Sequence, residues 1–184
     1  MDTSLLSPAV RELLAEERLP PLGPGVPNEA VRATLAALTP EKLLAPHRVR
    51  GPRFAECCLA GLWLYHDFLD ESHTLSQSIP TAEGSYWHGL MHRREPDFPN
   101  AAYWFGRVGR HPVFDALPEA ARQAAADAAV TAAVPSPWDP FWFIDYCAAC
   151  VHGREPGERF ARLVQRLEWQ ALFEYCYRQA VGAG

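Results

Sequence analysis

Seventeen prolines in a chain of 184 residues limit what that chain can build. A proline has no amide hydrogen for a helix interior or a central strand, and it drives the residue before it out of helical geometry. Pro8, Pro40, Pro52, Pro99 and Pro140 sit where apolar residues at helical spacing begin, and a helix tolerates a missing N–H at its first turn. The runs Pro20–Pro27 (PPLGPGVP) and Pro135–Pro140 (PSPWDP) are too rich in proline for any helix. Between these breaks no segment alternates apolar and polar residues with period two, and hairpin signals are absent. The expectation is an all-α, single-domain irregular helical bundle of about seven or eight helices. Residues 1–50 would supply N-terminal helices and a proline-rich arm, and residues 51–184 the core bundle.

The punctuation predicts the elements in turn. Ser7-Pro8 opens a helix to about Leu19, Asn28 caps Glu29–Leu38, and Thr39-Pro40 starts a short helix to about Leu44. A long helix is expected from Pro52 to Glu71, with Phe54, Cys57, Cys58, Gly61, Leu62, Leu64, Tyr65, Phe68 and Leu69 as its apolar surface. If it is unbroken, His66, Asp70 and His73 share a face. Ser85 is the expected cap of a helix from Tyr86 to about Arg94, which Pro96 ends. Asp97 caps the next, and Gly109 stops it. A short turn or helix covers Val113–Leu117, and Pro118 begins an alanine-rich helix to about Ala133. Asp139-Pro140 starts a helix that stops at Gly153, and the last helix runs from about Gly157 to Val181.

The length suffices for one domain with a substantial core, and 48% hydrophobic residues fit a globular chain. A net charge of −5 argues against a nucleic-acid partner, which favours a basic surface. Neither a signal peptide nor a long apolar run is seen, so the expectation is a cytoplasmic protein with no membrane partner. Five cysteines, two of them adjacent (Cys57, Cys58), read as reduced buried thiols. Cys147 and Cys150 form a Cys-x-x-Cys pair inside an apolar helix, far from the helix N-terminus that activates redox pairs, and read as core residues.

Chemistry concentrates between Ser85 and Phe114, SYWHGLMHRREPDFPNAAYWFGRVGRHPVF. His88 and His92 are four apart and share a helical face, and Glu95 joins them if the last turn stays helical. Two imidazoles and a carboxylate suit zinc, iron or manganese, so His88, His92 and Glu95 are the candidate metal ligands and a divalent metal the candidate cofactor. The order HGLMH lacks the internal glutamate of the HExxH metalloproteases. Arginines beside large aromatics suit a small anionic molecule. The ligand-binding candidates are His66, Asp70, His73, Trp87, Arg93, Arg94, Asn100, Trp104 and Glu168. Glu168 falls on or beside the apolar stripe of the last helix, where a carboxylate needs a partner. Alternatively these groups pair with one another and only fix helix register. Nucleophile-elbow, phosphate-loop and dinucleotide motifs are absent from the sequence.

The run from Trp87 to Phe114 resembles the signature of a family of uncharacterised, mainly helical proteins. That signature has two histidines separated by three residues, then Arg-(Arg/Lys)-Glu-Gly-Asp, Asn-Ala and Tyr-Trp. Here it corresponds to His88, His92, Arg93, Arg94, Glu95, Asp97, Asn100, Ala101, Tyr103 and Trp104, with Pro96 where the family has glycine. Leu167–Ala180 (LEWQALFEYCYRQA) is similar to the usual ending of such chains, and together the two runs cover 42 of the 184 residues. The resemblance implies candidate residues and no reaction. Glu95–Phe105 also resembles the turn and second helix of a tetratricopeptide-type hairpin, without the repeat of about 34 residues that such proteins carry.

Two classes of function remain. One is a small helical enzyme or ligand-binding domain in which His66, His88, His92 and Glu168 converge on a polar pocket, with histidine as ligand or acid/base and arginine holding an anion. The other is a helical interaction module whose polar groups are structural.

Overall fold

A computed structural model describes residues 4–183, all of its regular structure helical. Ten α-helices follow in order: α1 Pro8–Leu13, α2 Arg32–Ala36, α3 Pro40–Leu44, α4 Pro52–Tyr65, α5 Leu69–Gln77, α6 Ala82–Arg94, α7 Phe98–Val108, α8 Val113–Asp127, α9 Pro140–Val151 and α10 Glu158–Val181. A 3-10 turn, Glu29–Val31, leads into α2. The described residues form a single-domain irregular bundle without strands, as the proline punctuation and missing alternation predict.

The central element is α6. Its residues from Gly84 to Arg94 are all buried, so it behaves as a core helix enclosed on every side rather than a surface helix with one apolar stripe. Helix α7 folds back along it, α5 lies against another side, and α4 and α10 also touch it. Close approach is allowed by glycine. A Cβ on Gly61 of α4 would come within 2.7 Å of the Trp87 ring, and one on Gly89 would come equally close to Phe105. Helix α10 packs against α4, α8 and α9, burying Phe160, Val164, Trp169, Leu172, Phe173 and Tyr177.

Several capping expectations match. Thr39, Asp97 and Asp139 each accept a backbone N–H at the start of α3, α7 and α9. Gly109 follows α7 at φ 66°, and Gly153 follows α9 at φ 67°. Others are corrected. The helix expected over Pro52–Glu71 is two, because the chain turns at His66–Asp67–Phe68, with Asp67 at φ 64°. Positive φ is uncommon for any residue with a Cβ, though Asp tolerates it best. Two arginines hold it there: Arg18 Nη2 donates to one Asp67 oxygen at 2.7 Å and Arg94 Nη2 to the other at 2.5 Å. The break separates His66, at the end of α4, from Asp70 and His73, which both lie on α5.

Helix α6 starts a turn earlier than expected, capped by Thr81, whose hydroxyl accepts from Gly84 N at 3.1 Å. Pro118 lies inside α8, whose two expected parts are one helix. Helix α1 stops at Leu13, and the following arm is bound by side chains from the bundle. Arg162 donates to the Leu19 and Pro20 carbonyls, Gln165 to that of Pro21, and Arg94 to those of Gly23 and Pro24. Asn28 caps nothing with its side chain; its amide lies 3.4 Å from His66 Nδ1.

Candidate metal centre

Three imidazoles meet on the face of α6 that looks toward α5. His88 and His92, one turn apart, stack with ring centroids 4.6 Å apart and planes inclined by 29°. His73 comes from α5, its ring 4.6 Å from that of His88 and 5.3 Å from that of His92. One ligand nitrogen from each of the three lies within 4.8 Å of the others, and among the described residues this is the one cluster of three His, Cys, Asp or Glu side chains so gathered. His88 and His92 are buried and His73 is half-buried, so the solvent side is that of α5.

Neighbours orient the rings. Glu95, at the C-cap of α6, accepts a hydrogen bond from His92 Nδ1 at 3.0 Å. A carboxylate only accepts, so Nδ1 carries the proton and Nε2 is the free nitrogen. Trp104 of α7 lies flat on His88, centroids 4.0 Å apart and planes inclined by 17°. His88 Nδ1 is buried without a hydrogen-bond partner. Burial, followed by the nearby His92 and His73, lowers the His88 pKa to about 3. Burial also lowers that of His92, against the pull of Glu95. Both imidazoles are therefore neutral at ordinary pH, the form that binds a metal ion. The cluster has the donor set to chelate a divalent cation.

The other sequence-nominated residues lie elsewhere. His66 ends α4 and donates from Nε2 to the Leu13 carbonyl at 3.0 Å, fastening the N-terminal segment. Asp70 is exposed on a different surface, beside Trp63, Thr74 and Ser78. Trp87 is buried against Gly61 and Trp169. Asn100 is half-buried in the first turn of α7, its backbone N–H taken by Asp97. The convergence expected of His66, His88, His92 and Glu168 does not occur, because the turn at Asp67 carries His66 away and Glu168, on α10, is bound by Arg93 and Tyr86.

The arginines expected to receive an anion are already bound. Arg93 Nη2 donates to Glu168 Oε2 at 2.5 Å, and Tyr86 donates its hydroxyl to Glu168 Oε1 at 2.9 Å. Both partners of the Arg93–Glu168 pair are fully buried. The Arg93 guanidinium also lies 4.5 Å from the Phe143 ring centroid. Arg94 is sealed onto Asp67 and the arm. Sequence reasoning missed Asp67 and Gln165; their one signal is polarity, in the turn just after α4 and on the buried face of α10. It named His73 but grouped it with His66 and Asp70, as an unbroken helix would require.

All five cysteines are free thiols. Within the described residues no helix is long and apolar enough to cross a membrane. Comparison of the chain with family models, curated proteins and solved structures finds no match.

Proposed function

We propose that this chain is a divalent-metal-binding protein, with His73, His88 and His92 as the three protein ligands. The observation that carries the reading is the meeting of three imidazole nitrogens from two helices within 4.8 Å. Zinc–nitrogen bonds of about 2.0–2.1 Å set tetrahedral ligands roughly 3.3 Å apart, so a metal would draw the rings inward by about an ångström. Glu95 supports the assignment, because a carboxylate on the far nitrogen of a metal-bound histidine fixes its tautomer and raises its basicity. Imidazole donors suit zinc, iron, nickel or copper. Glu95 is the orienting group in this reading, not a ligand.

A small anion would have to be held by the metal, since Arg93 and Arg94 are committed to Glu168 and Asp67. The scaffold reading keeps that sealed part of the polar set, which fixes how α6 sits against α10 and the arm. Free thiols support a reducing compartment, so we place the protein in the cytoplasm.

The test is a zinc titration of metal-free protein purified without an affinity tag, read by competition with a chromophoric chelator. One ion per chain is expected, with binding lost in His73→Ala, His88→Ala and His92→Ala proteins that keep their helical circular dichroism. Absence of saturable binding, or equal binding by the triple alanine variant, would overturn the proposal.

A further inference from the structure

We infer that the metal held by His73, His88 and His92 keeps one coordination position free of protein, and that this position takes a small monodentate anion from solution. The inference rests on the metal-binding reading above and asks what completes the coordination.

The ligand count comes first. Closed zinc sites use four protein ligands, whereas three protein ligands leave a position for an exogenous one. Among the described residues no fourth His, Cys, Asp or Glu joins the cluster. The nearest carboxylate is excluded by direction. Glu95 Oε2 sits 3.0 Å from His92 Nδ1, and the two nitrogens of an imidazole point to opposite sides of the ring. A carboxylate held at Nδ1 cannot also reach an ion on Nε2 without giving up that hydrogen bond.

The walls come second. On one side the Trp104 ring covers His88, offering no donor atom to a metal. Helix α6 closes the floor, since its residues around His88 and His92 are buried. The approach left is along the half-buried His73. Charge comes third. Imidazole ligands bring no charge of their own, so the charge of a divalent ion is offset only from outside its ligand set, by Glu95 and Asp97 beside His92. An anion entering beside His73 meets that charge in a setting partly screened from water, where attraction is stronger than in bulk solvent.

The test uses cobalt(II), whose visible absorption reports coordination number and ligand type. Metal-free protein is titrated with cobalt(II) chloride, then with sodium azide. The expected result is one cobalt per chain, followed by a saturable change in the visible bands fitting one azide per cobalt. Bound cobalt whose spectrum is unmoved by excess azide would overturn the open position while leaving the metal site standing. Loss of the cobalt to azide, seen as recovery of the free-ion spectrum, would also overturn it. A chain that takes up no cobalt would remove the metal reading and this inference together. A Glu95→Gln protein separates one further case. If Glu95 were the fourth ligand, azide would bind the cobalt of the Glu95→Gln protein and not that of the parent, and that result too would overturn the inference.

Discussion

Replacing Glu168 by alanine is the sharpest probe of which polar groups belong to the architecture. Its carboxylate receives the Arg93 guanidinium at 2.5 Å and the Tyr86 hydroxyl at 2.9 Å, and neither member of the charge pair is exposed. Removing one partner of a buried pair leaves an uncompensated charge, which costs about 3–5 kcal/mol. The stranded tyrosine hydroxyl adds about 1–3 kcal/mol. The sum, roughly 4–8 kcal/mol, is a large part of the ~5–15 kcal/mol that holds such a domain together. With a urea dependence of about 1–3 kcal/mol per molar, the midpoint should fall by more than about 1 M, if the variant folds at all. The compensated variant Tyr86→Phe/Arg93→Met/Glu168→Leu removes every member at once and should recover most of the loss, because a buried ion pair replaced by apolar residues is often neutral or stabilising. Its zinc affinity should equal that of the parent, since His88 and His92 lie on a different face of α6 from Tyr86 and Arg93, and His73 comes from α5. The measurement is urea unfolding followed by circular dichroism on metal-free protein. A Glu168→Ala loss below about 1 kcal/mol, or a triple variant no better than the single one, would refute the reasoning.

Three further outcomes follow from the geometry. Glu95→Ala should weaken zinc binding by about 10–100-fold in chelator competition and leave the urea midpoint of metal-free protein nearly unchanged; equal affinity would remove Glu95 as the orienting group. Metal-free protein should lose stability as pH falls below 6.5, because the folded His88 pKa of about 3 lies under its ordinary value and the unfolded chain then binds more protons. That contribution is full above 6.5 and fades downward, with His66 and His92 shifted in the same direction by burial; a midpoint flat from about pH 7 to 5 would contradict it. Pro96→Gly should raise the melting temperature by about 2–4 °C, roughly 1 kcal/mol, because Pro96 is held at φ 33° while its ring favours about −65°. Glycine would add an N–H at the end of α6, where Asp97 N already donates to the His92 carbonyl at 3.0 Å; a lower melting temperature would argue against strain there.

What was legible in the sequence was local. Asp97 and Gly109 bracket α7, Asp139-Pro140 opens α9, and His88 with His92 share a face through spacing alone. What was illegible depended on partners distant in sequence. Nothing in the run Tyr65-His66-Asp67-Phe68 marks a helix end, yet the helix ends there because Arg18 and Arg94 draw Asp67 into a left-handed turn. That turn sends His66 toward Leu13 and swings α5 so that His73 reaches α6. The arginine-rich run read as an anion site because its acceptors lie far along the chain, at Asp67 and Glu168.

The distribution of satisfied groups along α6 bears on where a ligand belongs. A buried helix that carries two histidines and two arginines must settle each polar atom or leave it at a cost. Arg94 is met by Asp67 and two carbonyls of the arm. Arg93 has Glu168, and its remaining unpaired nitrogen belongs to a guanidinium lying beside the Phe143 ring. His92 has Glu95 on one nitrogen. His88 has only ring stacking, with Nδ1 buried and unpaired. Leucine at positions 73, 88 and 92 would fill the same space without desolvating imidazoles, so packing alone gives no reason for three histidines to meet there. A bound cation gives such a reason, because it uses the lone pairs that burial otherwise leaves idle. Of the unpartnered polar atoms on the helix, Trp87 Nε1 and Arg93 Nη1 belong to side chains packed among aromatic rings, and His88 Nδ1 is the one in the imidazole cluster beside the half-buried ring of His73.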